Sequence, residues 1–162
     1  MKIILILYSL IFVSTIASSQ TTRSTVKIND SVALTLERIP LDTANSEYNI
    51  SPSFPHSING KPVFGADGNI PTFVLTKATL KINDQSFILD VSDMYNPWYG
   101  TKPYEKLFSI KEDGNHIYFR GLFSDGAGSY GAEWLIIDDS CIRTILTKSE
   151  WIMFEYFNDE EK

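Results

Sequence analysis

Ser124-Asp125-Gly126-Ala127-Gly128-Ser129-Tyr130-Gly131-Ala132-Glu133-Trp134-Leu135-Ile136-Ile137-Asp138-Asp139-Ser140-Cys141-Ile142-Arg143-Thr144-Ile145-Leu146 is the stretch whose reading decides the fold. A glycine-rich bend feeds two apolar runs, and between them stand Asp138-Asp139-Ser140, residues that tolerate tight turns and bond locally to backbone. The pattern predicts two antiparallel strands, Tyr130 to Ile137 and Cys141 to Thr147. With Ile137 opposite Cys141, Leu135 faces Arg143 and Glu133 faces Ile145. Glu133 and Arg143 then share a face at a diagonal that long side chains span.

Downstream, Ser149 offers a helix N-cap. Trp151, Ile152, Phe154, Tyr156 and Phe157 are β formers, however, and the segment is expected as a further strand. Upstream, Lys106 to Glu112 and His116 to Phe123 flank Asp113-Gly114-Asn115, a strong short-range hairpin signal, with Ile117, Phe119 and Phe123 on one face. Thr72 to Ile82 and Ser86 to Val91 make another hairpin, with Phe87, Leu89 and Val91 together. Val26 to Ile28 and Val32 to Ile39 form a third around Asn29-Asp30; Val32, Leu34 and Leu36 alternate with Ala33, Thr35 and Glu37. Leu80-Lys81-Ile82-Asn83-Asp84 repeats the phrase Val26-Lys27-Ile28-Asn29-Asp30, which the same turn chemistry explains without duplication. Gln20 to Thr25 is polar and expected to fray.

Turn signals at this spacing, with no sustained amphipathic helical period, point to an all-β protein: a single antiparallel β-sandwich or small barrel of about eight or nine strands. Apolar residues on both faces of Trp134 to Ile137 imply that one sheet is covered on both sides or closed. Residues 40–71 are rich in proline and glycine and are expected as a long loop, with an edge strand at Val63-Phe64.

Residues 1–19 read as a secretory signal peptide: Lys2, an apolar run too short to span a bilayer, then Ala17 and Ser19 as the small pair at the cleavage site. Residues 20–162 are expected as one β-rich domain, ending in an acidic, solvated tail at 158–162. Cleavage removes one basic residue and no acid, taking the formal charge from −6 to −7. That balance excludes a nucleic-acid partner, which needs a concentrated basic surface. The processed protein is expected to be exported, periplasmic or extracellular, and not membrane-spanning. Cys141 is the single cysteine, so no internal disulfide forms, and within a strand it reads as a buried small hydrophobe.

The chemistry is sparse. The bend lacks the Gly-Lys-Ser/Thr ending of a phosphate loop and the acid spacing of a calcium loop. His56 and His116 are isolated, so neither a metal nor a cofactor is expected. No nucleophile elbow is present. Met94-Tyr95-Asn96-Pro97-Trp98-Tyr99-Gly100 is an aromatic loop suited to binding, since Trp and Tyr join a large flat area to a polar edge. The candidate ligand-binding residues are therefore Tyr95, Trp98 and Tyr99 in the loop, with Asp125, Tyr130, Glu133, Trp134 and Arg143 around the bend. The expected function is an exported, non-catalytic binding domain for a glycan or another exported protein. Two alternatives are an immunity or inhibitor protein that neutralises a basic enzyme, and a hydrolase using Asp125 and Glu133 as paired carboxylates.

Overall fold

The computed structural model describes residues 20–49, 57–100 and 102–157. The signal-peptide reading of residues 1–19, His56 and the acidic tail at 158–162 lie outside them. The described residues are mostly β, in three antiparallel sheets, none of them closed into a barrel.

The first sheet is ordered β1-β2-β6-β7: β1 (Thr22–Lys27), β2 (Val32–Pro40), β6 (Phe73–Ile82) and β7 (Gln85–Leu89). The second is ordered β11-β10-β9-β8: β8 (Phe108–Asp113), β9 (His116–Phe123), β10 (Tyr130–Ile137) and β11 (Ser140–Thr147). Both contribute to one apolar core, in which Leu34, Leu36 and Leu80 meet Phe119, Phe123 and Trp134. The eight strands of these sheets match the expected hairpins. β1 begins at Thr22, so the segment expected to fray instead pairs with the far half of β2, Thr22 opposite Arg38.

Residues 40–71 are more ordered than a bare loop. β3 (Tyr48–Asn49), β4 (Ser57–Ile58) and β5 (Lys61–Pro62) form a small third sheet. The edge strand falls at 61–62, two residues before its expected place, while Phe64 makes an isolated bridge to Met94 and Val63 is buried with Ile58, Ala66 and Tyr95 in a satellite core. Gly65 allows the closest approach there: it sits at φ 95°, and a Cβ on it would stand 1.9 Å from the Tyr95 carbonyl oxygen.

The expected final strand is a helix, α1 (Glu150–Phe157). Ser149 caps it, its Oγ accepting from the Ile152 amide at 3.4 Å and its carbonyl from the Met153 amide at 3.0 Å. Glu150 places an acid in the first turn, where the helix dipole favours it. Tertiary context overrides β propensity here, since a further strand would need the outer edge of β11, and that edge packs beside β7. The helix instead covers the outer face of the second sheet, where Ile152 and Met153 meet Gly131, Ala132 and Ile145. This explains why Gly131 and Glu133, outward-facing on β10, are as buried as their inward neighbours.

Two bulges set which side chains face inward. Glu37 pairs with Lys77 and Arg38 with Leu75, leaving Thr76 extra; Glu133 pairs with Ile145 and Trp134 with Arg143, leaving Thr144 extra. The Thr76 hydroxyl donates to the Glu37 carbonyl at 3.0 Å, and the Thr144 hydroxyl lies 3.3 Å from the Glu133 carbonyl. A bulge of this kind re-aims the side chains beyond it.

Candidate functional site

The turn after β7 is tied to the second sheet. Asp90 Oδ1 accepts from the Ser92 amide at 2.9 Å and hydroxyl at 2.6 Å. The Asp90 carbonyl accepts from Trp134 Nε1 at 2.9 Å. Arg143 donates to the Ser92 carbonyl at 2.7 Å and stands 3.3 Å from Asp90 Oδ2. Desolvation pushes the Asp90 carboxyl upward, but the Ser92 hydrogen bonds with Arg143 and Lys61 outweigh it and leave the carboxyl below its usual value.

This corrects the expected pairing of Glu133 with Arg143. The turn of the hairpin is two residues, not three: Ile137 pairs with Ser140 and Ile136 with Cys141, with Asp138 at φ 53°. The bulge then restores Glu133 opposite Ile145, but Arg143 lies opposite Trp134 and shares its partner, Asp90. Glu133 faces the other way, beneath α1. Its Oε2 accepts from Arg120 Nε at 2.7 Å and its Oε1 from the Thr144 hydroxyl at 2.7 Å. Both side chains of the Arg120–Glu133 pair are nearly buried.

The aromatic loop is anchored rather than free. Asn96, at φ 39°, is its hub: Oδ1 accepts from the Thr72 and Phe73 amides at 3.0 and 3.1 Å, and Nδ2 donates to the Gly65 carbonyl at 2.9 Å. Tyr95 is buried, and its carbonyl accepts from the Tyr130 hydroxyl at 3.0 Å. Tyr130 is fully buried, which pushes its phenol well above the usual tyrosine value. Trp98 is 3% exposed. The Arg38 guanidinium lies 4.1 Å from the ring centres of both Trp98 and Phe73 and donates to the Trp98 carbonyl. Among the described residues no carboxylate pairs with Arg38; two aromatic faces and a carbonyl meet its charge, as a weakly hydrated guanidinium allows.

The bend closes against this loop. The Ser124 amide, at φ 65°, donates to the Pro97 carbonyl at 3.2 Å, and residues Gly126–Gly128 make one 3-10 turn. The loop and the bend are thus neighbours, as the sequence led us to expect. Of the eight candidate residues, Tyr95, Trp98, Tyr130, Glu133 and Trp134 are buried, and Arg143 is the clamp on Asp90. Tyr99 and Asp125 remain at the surface, with Trp98 behind them.

Those three residues share a groove of about 220 Å³ with Lys102, Tyr104 and Leu107. Tyr99 is 47% exposed and Tyr104 65%. Past Ser124 and Asp125 the groove opens into a wider trough of about 530 Å³ that reaches Met153 and Phe154 on α1. Two polar atoms among the lining residues, Trp98 Nε1 and Ser124 Oγ, are buried without a hydrogen-bond partner. Sequence reading missed Tyr104, which carries no local signal beyond its aromatic ring. It also missed Arg38, though that residue continues the inward alternation of Val32, Leu34 and Leu36.

Among the described residues, no three His, Cys, Asp or Glu side chains gather closely enough to hold a metal ion. No helix among them is long and apolar enough to cross a membrane. Fold and site together define a β-rich domain with an aromatic-rimmed groove. No protein-family model, curated protein or solved structure matches the chain.

Proposed function

We propose that this chain is an exported, non-catalytic binding domain, built as a β-sandwich, that recognises a glycan through the groove between its aromatic loop and the Ser124–Ser129 bend. The observation that carries the reading is the pair of exposed rings, Tyr99 and Tyr104, set beside Asp125 in one concavity whose inner wall is a rigidly held tryptophan. Flat rings stack on the apolar face of a sugar, and a carboxylate accepts from its hydroxyls. Such a site needs anchored backbone, and the hydrogen bonds of Asn96, Tyr130 and Arg143 supply it.

A protein ligand is the second reading. Trp151 and Phe154 on α1 are 75% and 69% exposed, and the chain is acidic, which suits a basic partner of the kind an inhibitor would neutralise. The hydrolase reading gains nothing from the geometry. Asp125 and Glu133 line different concavities, and both Glu133 oxygens are already engaged.

The test is a glycan array probed with the full chain, exported and purified from its host, alongside Tyr99→Ala and Tyr104→Ala. Both side chains are exposed, so folding is expected to survive. Signals that vanish in the variants support the reading. An empty array, or signals indifferent to both changes, ends it; capture of a basic enzyme through Trp151 and Phe154 would favour the second reading.

A further inference from the structure

The trough between the bend and α1 has a chemistry of its own. Leu107, Leu122, Met153 and Phe154 give it apolar walls, and its only charged lining residues are Asp125 and Glu150. Both carboxylates are exposed, and among the described residues neither has an ion-pair partner. Asp125 does not cap the 3-10 turn that it precedes. Phe154 is 69% exposed, and Trp151, three residues earlier on α1, is 75% exposed. At that spacing the two rings are neighbours on the helix surface. Large rings left in water beside a concavity mark a contact surface.

We infer that this trough docks a segment of a basic protein, which inserts an apolar side chain against Leu107, Leu122 and Phe154 and sets lysines or arginines against Glu150 and Asp125. The inference is independent of the glycan reading; it rests on the protein-ligand reading and gives it a surface and a partner chemistry. Charge selects this occupant over two others. An anionic membrane surface attracts helices that carry Lys or Arg beside their exposed rings, whereas α1 carries two glutamates and no basic residue. A second copy of this chain, at a formal charge of −6, would bring its own Asp125 and Glu150 to the same patch in a two-fold contact. A basic segment meets both requirements at once: its apolar side chain covers the walls, and its cations find two carboxylates with no competing partner.

The experiment selects a displayed random-peptide library against the full chain, then measures the enriched peptides on wild type, Phe154→Ala, Glu150→Lys and Trp151→Ala. All three side chains are exposed, so folding is expected to survive, and urea midpoints check it. We expect enriched peptides to carry Lys or Arg on either side of an apolar residue. Phe154→Ala should weaken them by about tenfold, as loss of an interface anchor does. Glu150→Lys should weaken them by about three- to tenfold, and by more at low salt. That salt-dependent loss is the decisive readout, because a merely structural role for Glu150 would not produce it. The trough is overturned if no peptide is enriched, if the enriched peptides are acidic or uncharged, or if Phe154→Ala and Glu150→Lys bind them like the wild type. Peptides that depend on Trp151 alone overturn it too, yet leave the protein-ligand reading standing. None of these outcomes touches the glycan groove, whose rings are Tyr99 and Tyr104.

Discussion

Replacing Glu133 by glutamine tests the architecture at its least expected point, the buried ion pair between the second sheet and α1. The Arg120 and Glu133 side chains are 11% and 8% exposed, and Nε lies 2.7 Å from Oε2. Screening by water is therefore slight, and the relevant figure is the cost of breaking a buried pair by changing one partner, about 3–5 kcal/mol. Two features pull the expectation to the low end. The glutamine carbonyl can still accept from the Thr144 hydroxyl, which now bonds Oε1 at 2.7 Å, and Arg120 makes a further interaction of its own. We expect a loss of about 3 kcal/mol, which in a domain of this size lowers Tm by about 6–12 °C. Urea unfolding of the wild type and Glu133→Gln measures it, with the m-value unchanged if only stability has moved. Leucine at both 120 and 133 is expected to recover most of the loss, because two apolar residues in a site already faced by Ile145, Ile152 and Met153 leave no uncompensated charge. A Glu133→Gln protein within about 0.5 kcal/mol of wild type, the behaviour of a surface pair, would refute the reasoning. It would mean that α1 does not cover this face in solution.

Three further outcomes follow from the same geometry. Asn96→Ala strips the acceptor from two backbone amides and the donor from the Gly65 carbonyl; a loss of about 2–4 kcal/mol is expected, read by urea unfolding, with earlier proteolysis in the 90–99 segment. Because the Asp90 carboxyl is held below its usual value, its contribution is fully present above the unfolded pKa of about 3.9 and is lost as pH falls through the lower folded value. Asp90→Asn should therefore be less stable than wild type at neutral pH and converge with it in acid; curves that stay parallel would remove Asp90 from the linkage. Burial pushes the Cys141 thiol up to about 11, so it is protonated at neutral pH, and a disulfide reagent should modify the native chain more slowly than the urea-unfolded chain.

The hairpins were legible because their signals are local. Asn29-Asp30, Asn83-Asp84, Asp113-Gly114-Asn115 and Asp138-Asp139 each carry turn chemistry within four residues, and period-two alternation does the rest. The same locality explains the misses. Whether Trp151 to Phe157 becomes a strand or a helix depends on which surface is free to receive it, and the neighbour that packs against β11 is β7, more than fifty residues earlier. The expected facing of Glu133 and Arg143 failed because of one extra residue, Thr144, and a bulge of that kind has no signature in hydrophobic period.

That the aromatic loop and the bend lie side by side was legible in the sequence; which of their side chains face water was not, and the reason is physical. An aromatic-rich loop carrying proline and glycine predicts large flat side chains held outside regular structure, which is what residues 94–100 are. Which of those rings face water is decided by contacts far away in sequence: Arg38 against Trp98, Tyr130 on the Tyr95 carbonyl, Arg143 and Trp134 on the turn at Asp90. Each of these long-range contacts turns a residue that sequence offered as a ligand contact into part of the frame. What remains exposed, Tyr99 with Asp125, is joined by Tyr104. If the groove binds as proposed, rings on so rigid a support are better prepared for it than eight exposed candidates would have been, because the ordering cost was met when the chain folded.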